Sequence, residues 1–352
     1  MKQKILISTG GSGGHVKPAI ALYEHLNERF DVIYSTDIRG KKFFEDVNDY
    51  FVIDTPKLKN KFLFPLNILI ILYLTIRSLL ILQREKVEYL FSTGGYMSIP
   101  LCLASKFLKI DIYLIEPNMV LGRANKFFLS FSKKIFCYSK NIKNYPSKYL
   151  NKQIIINPIV RKKFFDDNLE LNRTKKFSVM IVGGSQGATI FDKYFNEAFK
   201  NINDTFPLKI FHQTSEDRVN DLKNFYLENS IENYVFSYDE NLLRLIQKSD
   251  LCITRAGAST ISELTILNVP FLTIPLPNSK DNHQLENAIF YKDKGYCWII
   301  NQSELNQKKI EEFFINIFKN RQEYENKKLG MKTFKSTNSW INDNGKILHA
   351  II

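Results

Sequence analysis

The sequence predicts an α/β protein built from two Rossmann-like domains, each a doubly wound parallel sheet covered by helices. Short β-rich runs alternate with helical runs along the chain, which is the pattern of a parallel sheet. The same local pattern also occurs twice: a β run, a glycine loop and a helix follow one another around Gly10–Ser12 and again around Gly183–Ser185. A length of 352 residues suits two domains of ordinary size.

The first half opens with a predicted strand at Lys4–Thr9, a glycine loop at Gly10–Gly14 and a helix from Pro18 to Arg29. Runs rich in β-branched and aromatic residues then predict four further strands, at Phe30–Thr36, Val87–Ser92, Ile110–Ile115 and Lys133–Tyr138. We therefore expect a first domain over residues 1–156.

A charged segment, Arg161–Lys176, interrupts this pattern, and the strand–loop–helix start then returns with a helix over Ala188–Phe199. We expect a second domain over residues 157–334, with a polar amphipathic helix at Lys308–Lys328. Residues 335–352 are expected to form a helix that packs back on the first domain. The strands predicted for the second sheet are Phe177–Val182, Leu208–Gln213, Tyr234–Phe236, Leu251–Ile253, Phe271–Ile274 and Cys297–Ile300.

The composition is that of a folded protein, with 44% apolar and 24% charged residues, which excludes a disordered chain and a coiled coil. An excess of 49 basic over 36 acidic residues favours an anionic partner: nucleic acid, an anionic membrane surface or a phosphorylated substrate. A lysine-rich composition without functional meaning is the alternative. The first 14 residues do not resemble a signal peptide. Four well-separated cysteines indicate reduced, buried thiols of a cytosolic protein: Cys102, Cys137, Cys252 and Cys297.

The segment Phe62–Leu82 is almost wholly apolar, and Arg77 is its only charge. It is long enough to span a bilayer. However, Pro65 and Asn67 interrupt its first turn, and its place in the chain is that of a crossover helix between two strands of one sheet. A spanning helix there would put those strands on opposite sides of a membrane.

We therefore predict that this helix is partly buried on the sheet and partly exposed as a membrane-docking face. A wholly buried helix is the alternative. If the docking face exists, Ile71 and Leu74 are the positions expected to meet lipid. Basic residues that flank the segment would contact anionic headgroups: Lys57, Lys59, Lys61, Arg84 and Lys86.

The loop Gly10–His15 follows a strand and opens a helix, so its backbone N–H groups can bind an anion. It lacks the Lys-Ser/Thr of a Walker A loop and the last glycine of a GxGxxG loop. Asp37, at the end of the second strand, imitates the ribose-binding acid of a dinucleotide site. His15 beside the loop suits general-base chemistry, whereas a hydrogen-bonded structural histidine is the alternative.

The second half offers a similar loop, Gly183–Gly187, in which the Ser185 hydroxyl and backbone N–H groups can hold a diphosphate. The segment Arg255–Glu263 has small residues that let a ligand come close, and Glu263 can accept from both hydroxyls of a ribose. An N-terminal acid favoured by the helix dipole is the alternative for Glu263. Three residues at helical spacing suit sugar hydroxyls, or else simply face solvent: His283, Gln284 and Asn287.

Taken together and in order, these motifs resemble the MurG family of peptidoglycan N-acetylglucosaminyltransferases from the first strand to about Gly295. The family usually has Thr where Ser12 stands and His-Glu-Gln-Asn where this chain has Ile115–Asn118. The motifs that carry the resemblance are Gly10–His15, Ser92–Tyr96, Glu116–Asn118, Asn157-Pro158 with Arg161, Gly183–Ala188, Arg255–Thr260 with Glu263, and Asp281–Gln284 with Asn287.

The resemblance implies a GT-B fold with the active site in the cleft between two Rossmann-like domains. It implies transfer of N-acetylglucosamine from UDP-GlcNAc to the 4-hydroxyl of the muramyl sugar of lipid I, which gives lipid II at the cytoplasmic face of the inner membrane. The enzyme would be peripheral, with the anionic membrane surface as a partner and no nucleic acid.

Site residues follow from the same resemblance, with Ser12–Gly14 also expected at the acceptor diphosphate. The donor-binding residues it implies are Ser12, Gly13, Gly14, Asn118, Arg161, Ser185, Gln186, Ala258, Ser259, Thr260, Glu263, Gln284 and Asn287. The acceptor-binding residues it implies are Gly13, Gly14, His15, Gly94, Gly95 and Tyr96.

An inverting transfer is one displacement at the anomeric carbon, in which the acceptor hydroxyl loses a proton and UDP departs with added charge. His15 is the candidate base and Glu116 the reserve. Glycine-loop N–H groups and Ser185 would stabilise the leaving diphosphate, and we expect no metal and no cofactor.

Three other functions remain open from the residues. A UDP-sugar epimerase or a soluble glycosyltransferase would share the donor loops, but neither needs the apolar segment. A nicotinamide-dependent oxidoreductase is suggested by Gly11–Gly14 and Asp37. A basic nucleic-acid-binding or membrane-binding module without catalysis is the third.

Overall fold

The chain forms two compact units, one made of Met1–Lys162 with Trp340–Ile352 and the other of Lys163–Ser339. The computed structural model describes residues 2–11, 13–44, 50–56, 62–165, 176–183, 189–337 and 340–351. The first unit extends past residue 156 to Lys162 because Ile159 and Val160 are buried in it and the Ile159 amide donates to the Tyr138 hydroxyl at 3.0 Å.

The first unit contains a seven-stranded sheet in the order β3-β2-β1-β4-β5-β6-β7, and every pairing among these strands is parallel. β3 and β7 are absent from the sequence prediction, since edge strands of three residues are too short to show alternation. The strands are β1 Lys4–Ser8, β2 Asp31–Thr36, β3 Tyr50–Val52, β4 Tyr89–Ser92, β5 Asp111–Glu116, β6 Lys134–Cys137 and β7 Gln153–Ile155.

Aromatic rings on three neighbouring strands hold the middle of this sheet together. The Phe91 and Tyr113 rings stack with centroids 5.0 Å apart, and Phe91 and Phe136 stack at 6.1 Å. All three side chains are fully buried, which favours folding through apolar burial as well as ring contact. The helices in the N-terminal part of this unit are α1 Gly13–Leu26, α2 Phe64–Arg84, α3 Ile99–Phe107 and α4 Arg123–Phe128.

The second unit has a six-stranded parallel sheet in the order β10-β9-β8-β11-β12-β13. Its strands are β8 Phe177–Val182, β9 Leu208–Gln213, β10 Glu232–Phe236, β11 Leu251–Thr254, β12 Phe271–Thr273 and β13 Cys297–Ile299. Its helices are α5 Thr189–Asn203, α6 Val219–Glu228, α7 Leu242–Gln247, α8 Ala258–Ile266, α9 His283–Asp293, α10 Gln307–Lys319 and α11 Arg321–Thr337. The prediction of a single helix over Lys308–Lys328 is therefore wrong, because α10 ends at Lys319 and α11 begins at Arg321.

The last helix, α12 (Trp340–Ile351), belongs to the first unit. The Tyr113 hydroxyl donates to the Ala350 carbonyl at 3.1 Å, and Ile347 is fully buried. α12 also contacts α1. The C-terminal segment thus packs on the sheet on which the chain begins.

All four cysteines lie in the described part of the chain, and each is buried and outside any disulfide. Burial raises the pKa of each thiol, that of Cys102 to about 12. These thiols are therefore protonated and unreactive at neutral pH.

Helix α2 has two unlike faces. It packs on α3 through a face that includes Asn67, Thr75 and Ser78, and the Thr75 and Ser78 hydroxyls donate to carbonyls four residues back at 2.7 Å. Among the described helices, α2 alone is long and apolar enough to cross a membrane, yet a third of its most apolar window (33%) is buried. The opposite face exposes large apolar side chains: Leu66, Leu69, Leu72, Tyr73, Ile76 and Leu80.

The expectation that Ile71 and Leu74 face lipid is wrong. They are only 9% and 6% exposed, because both lie on the face that packs on the protein. The first turn begins at Phe64 with Pro65 at its start, where the missing N–H costs nothing. Lys57, Lys59 and Lys61 lie outside the described residues.

His25 gives the first unit a pH-dependent stability. Its side chain is buried in the last turn of α1, and burial lowers its pKa to about 3. The unfolded chain therefore binds a proton below pH 6.5 that the folded chain does not, so stability is full above that pH and falls as the pH drops. Between pH 6.5 and 5 the loss is about 2 kcal/mol.

We expect the urea midpoint of the wild type to fall over that pH range by more than that of His25→Gln. The exposed His349 serves as the control position, since His349→Gln should keep the wild-type pH dependence. Parallel curves for wild type and His25→Gln would contradict the assignment.

Candidate active site

The first glycine loop is held open by the carboxylate of Asp37. Gly10 and Gly11 have φ angles of +155° and +82°, and the Gly11 amide donates to Asp37 Oδ1 at 2.7 Å. The Gly40 amide donates to the same oxygen at 2.9 Å. A Cβ on Gly10 would stand 2.7 Å from Asp37 Oδ1, so glycine is required there. Asp37 accepts hydrogen bonds from backbone amides of its own unit, which weakens its interpretation as a ribose-binding acid.

His15 has a defined tautomer. Its Nδ1 lies 2.7 Å from the Thr93 carbonyl oxygen, which can only accept, so Nδ1 carries the proton. Neutral His15 then has its lone pair on Nε2, the nitrogen that a general base needs. Thr9 and Thr93 brace this arrangement, since Thr93 Oγ1 donates to Thr9 Oγ1 and Thr9 Oγ1 donates to the His15 carbonyl, each at 2.9 Å.

A second glycine pair follows β4 and lies beside His15. Gly94 and Gly95 have φ angles of +85° and +84°, a conformation that side chains strongly disfavour. A Cβ on Gly95 would stand 3.8 Å from His15 Nε2, so the backbone there approaches the proposed base. Tyr96 is half-buried directly after the pair. The structure thus brings together four of the expected acceptor residues, His15, Gly94, Gly95 and Tyr96.

Glu116 is buried, and its carboxylate accepts four hydrogen bonds. Oε1 receives the amide and the side chain of Asn118, at 3.2 and 3.1 Å. Oε2 receives the Gly122 amide at 2.7 Å and Asn125 Nδ2 at 3.0 Å. Burial raises the pKa of Glu116, whereas these donors oppose the rise. A carboxylate engaged in this way braces the turn that carries Asn118, and its role as reserve base stays a prediction.

Asn125, which the sequence analysis did not single out, lies between Glu116 and the second glycine pair. Its side chain is 2% exposed and its Nδ2 donates to both Glu116 and the Ile115 carbonyl at 3.0 Å. Its Oδ1 would be 3.2 Å from a Cβ on Gly94, so Asn125 joins the Glu116 turn to the second glycine pair. No sequence signal singles out this asparagine in a short helix.

The remaining residues expected in the first unit are less clustered. Gly13 and Gly14 open α1, with Gly14 exposed, whereas Ser12 lies outside the described residues. Arg161 pairs with Glu24 of α1, with Nε 2.7 Å from Oε1. The structure therefore assigns Arg161 a partner in the first unit.

In the second unit the small-residue segment forms the N-terminus of α8. Gly257 precedes the helix, and Ala258, Ser259 and Thr260 form its first turn, whose free N–H groups suit an anion. Ser259 Oγ is buried and has no hydrogen-bond partner among the described residues. Glu263 lies half-buried one turn further along. The loop residues Ser185 and Gln186 are outside the described residues.

Arg255 lies immediately before that helix. Its Nη1 donates to the Ile274 carbonyl at 2.9 Å, and its guanidinium stands 5.1 Å from the centre of the Phe191 ring. Burial lowers the pKa of Arg255, but an arginine stays charged. A fixed positive charge therefore lies between the start of α5 and the start of α8.

Gln284 and Asn287, both expected at the sugar, have different surroundings. Gln284 is half-buried, and its Oε1 accepts the Leu276 amide at 2.9 Å. Asn287 is 1% exposed, and its Nδ2 donates to the Ala256 carbonyl at 3.1 Å. Asn287 is therefore placed to hold the turn before α8. His283 Nδ1 lies 2.7 Å from the Lys280 carbonyl.

A buried polar cluster supports the start of α5, and sequence reasoning missed it as well. Asp192 accepts from Thr214 Oγ1 at 2.8 Å, and its carboxylate lies 3.1 Å from His212 Nε2 and 3.2 Å from Arg218 Nη1. Burial alone would raise the pKa of Asp192, but His212, Thr214 and Arg218 hold it below its usual value. A buried charge on the first turn of α5 fixes the helix that follows the second glycine loop.

Comparison with known families gives two matches that together span most of the chain. Residues 5–137 match the glycosyltransferase family 28 N-terminal domain. Residues 178–339 match the glycosyltransferase family 28 C-terminal domain. The order of the two matched domains is the order of the two units.

Individual relatives are similar over nearly the full length. The chain is 44% identical over 353 residues to a UDP-N-acetylglucosamine--N-acetylmuramyl-(pentapeptide) pyrophosphoryl-undecaprenol N-acetylglucosamine transferase of Pelagibacter ubique, covering 100% of this chain and 99% of that one. It is 34% identical to the protein of the same name in Rickettsia bellii, covering 92% and 93%. The crystal structure of Acinetobacter baumannii MurG has a TM-score of 0.77 at 24% identity, covering 99% of this chain and 100% of that one.

Proposed function

This chain belongs to glycosyltransferase family 28, and we propose that it transfers N-acetylglucosamine from UDP-GlcNAc to the 4-hydroxyl of the muramyl sugar of lipid I, forming lipid II. The observation that carries the proposal is 44% identity to a transferase of that name across both units. The fold is GT-B, with two parallel-sheet α/β domains.

The reaction is a single displacement that inverts the anomeric carbon. The acceptor oxygen forms a bond to C1 of N-acetylglucosamine while the bond from C1 to the UDP oxygen breaks. His15 Nε2 takes the proton of the acceptor hydroxyl, and the bonding electrons leave with UDP. Support for this role of His15 comes from its tautomer and from the close approach of Gly95.

The second unit provides the groups that suit the donor. The N–H groups at the start of α8 and the Ser259 hydroxyl can bind phosphate, and the Ser185 loop is proposed to bind it too. The charge of Arg255 lies nearby and would stabilise the departing diphosphate. Glu263 would accept from the two ribose hydroxyls, and Gln284 would meet the sugar.

The first unit provides the groups that suit the acceptor. The glycine loop at the start of α1 would bind the diphosphate of lipid I, and the Gly94–Tyr96 segment would border the muramyl sugar. Asn118 is held by Glu116 beside this region, so we propose that it positions a substrate group.

The decisive experiment is a transfer assay with radiolabelled UDP-GlcNAc and a lipid I analogue. The expected product carries the label on the acceptor. Conversion of UDP-GlcNAc without acceptor would instead indicate an epimerase, and transfer only to other acceptors would indicate a different glycosyltransferase. Tight binding of NAD in place of UDP would indicate a nicotinamide-dependent oxidoreductase.

We also propose that the protein is peripheral on the cytoplasmic face of the inner membrane and docks through α2. The buried face of α2 includes Asn67, Thr75 and Ser78 beside apolar residues, whereas its exposed face carries a run of large apolar side chains, which is typical of an interaction surface. Arg77 and Arg84 are exposed on the same helix and suit anionic headgroups. Because α2 connects β3 and β4 of one sheet, it docks without spanning.

Two glutamates on the exposed face should detach the protein. Leu69 and Leu72 are 63% and 53% exposed. Leu69→Glu with Leu72→Glu should lower partition into anionic vesicles more than tenfold, since each change forfeits about 2 kcal/mol of apolar burial. Cosedimentation with vesicles measures this, and transfer to a short-chain soluble acceptor should survive.

Leu227→Glu with Leu329→Glu is the matched control, because both leucines are exposed in the second unit. High salt should release part of the wild type by screening the basic residues while apolar insertion persists. Equal vesicle binding by the two double variants would place the docking surface elsewhere.

A further inference from the structure

Arg39 is held beside the first glycine loop by its ion pair with Asp37, and the reaction as described gives Arg39 no role. Its Nε and Nη2 both donate to Asp37 Oδ2, at 3.0 and 2.7 Å. The other oxygen of Asp37 holds the Gly11 and Gly40 amides. One buried carboxylate therefore fixes the loop and the guanidinium relative to each other.

The guanidinium lies between the two glycine segments of the first unit. Arg39 Nη2 is 3.4 Å from the point where a Cβ on Gly11 would stand, and the guanidinium carbon is 5.9 Å from the centre of the Tyr96 ring. Gly11 belongs to the loop proposed for the acceptor diphosphate, and Tyr96 follows the glycine pair beside His15. Arg39 thus borders the proposed acceptor site.

The side chain is held in place but not enclosed. Asp37 is 3% exposed, whereas the Arg39 side chain is 47% exposed. Asp37 uses two of the five N–H donors of the guanidinium, which leaves three on the side away from the carboxylate. Lys41 and Lys42 follow, so Asp37–Lys42 carries three cations against one carboxylate. A rigid, charged fork of this kind is suited to phosphate oxygens and loses little entropy when it binds them.

We propose that Arg39 is a binding residue for the diphosphate of the acceptor, and this rests on the proposed function of the site. Its donors would meet the phosphate oxygens alongside the backbone N–H groups of the glycine loop. Gly11 leaves open the space next to the guanidinium, since it has no side chain.

The test compares an acceptor that carries the diphosphate with an analogue whose linker is neutral. Arg39→Met should raise the KM of the diphosphate acceptor roughly ten- to hundredfold, the effect of losing charged hydrogen bonds. The KM of the neutral analogue and of UDP-GlcNAc should stay near wild type. Arg39→Lys should fall between, because lysine keeps the charge without the fork.

Arg321→Met is the matched control. Arg321 also pairs with a carboxylate, that of Glu325 at 3.2 Å, and lies 4.4 Å from the Tyr324 ring centre, but it is on α11 and not beside a glycine loop. With a short-chain soluble acceptor this variant should behave as wild type.

A second readout needs no turnover. It is the binding of a short prenyl diphosphate, measured by titration with UDP present to occupy the proposed donor site of the second unit. Wild type should bind it and Arg39→Met should not, whereas the matched prenyl alcohol should not distinguish them. The double variant Asp37→Asn with Arg39→Met removes both charges of the ion pair. It should bind the diphosphate as poorly as Arg39→Met.

Rescue of diphosphate binding in the double variant would show that Arg39 only neutralises Asp37, and the proposal would fall. An equal rise in the KM of the diphosphate acceptor and of the neutral analogue in Arg39→Met would also contradict the proposal. Absence of any transfer by the wild type would count against the proposed function, whereas the binding measurement would still decide the role of Arg39.

Discussion

His15→Ala is expected to lower kcat by a factor of about 100 or more while leaving donor binding nearly unchanged. The lone pair on His15 Nε2 accepts the proton of the acceptor hydroxyl, and alanine removes this base. The Nδ1 hydrogen bond to the Thr93 carbonyl lies within the first unit, so we expect its loss to leave donor binding by the second unit unchanged. Steady-state kinetics together with UDP titration would separate the two effects.

The control is His349→Ala, since His349 is exposed on α12. If His15→Ala keeps its turnover, the base lies elsewhere, and Glu116→Gln becomes the next variant. Glu116→Gln is expected to act differently, because replacing a carboxylate that accepts four hydrogen bonds disturbs the turn and lowers thermal stability together with activity.

Glu263→Ala is expected to weaken donor binding by about 2 kcal/mol, or roughly thirtyfold in the KM for UDP-GlcNAc. A carboxylate on α8 can accept from both ribose hydroxyls, and alanine leaves those hydroxyls without their charged partner. Glu263 is half-buried, so its replacement should leave the fold intact. The kcat at saturating donor should change far less than the KM.

A comparison of UDP with a 2′,3′-dideoxy analogue makes the test specific. Wild type should prefer UDP, whereas Glu263→Ala should bind both alike. Glu312→Ala, on the exposed face of α10, is the matched control and should retain the preference. An unchanged affinity for UDP in Glu263→Ala would remove this residue from the donor site.

Much of the architecture could be predicted from local patterns. Apolar runs of four to six residues end in glycine or polar turns, and the two similar starts at Gly10 and Gly183 indicate two Rossmann-like units. The loop conformation could also be predicted, because a glycine pair after a strand suits positive φ angles, as at Gly94 and Gly95. These features depend on near neighbours in the chain.

The functions of single side chains were less predictable. Asp37 imitated a ribose-binding acid, and Glu116 a reserve base. Each carboxylate is surrounded by donors from its own turn and from residues farther along, such as Asn125 for Glu116. Asn287 is predicted as a sugar contact, and its bond to the Ala256 carbonyl, 31 residues away, is a second role that the sequence does not indicate. Which donor meets which acceptor depends on folding, so spacing alone does not reveal it.

By itself the sequence determined the α/β class, the two-unit plan and the order of the glycine loops, because these follow from periodicity and backbone sterics. It also determined that one helix is mostly apolar, but not which side of that helix is exposed. Packing on α3 decided that Ile71 and Leu74 are buried and that Leu69 and Leu72 are exposed. A helix with apolar residues on every side has no preferred face of its own, so only the partner against which it packs can select one.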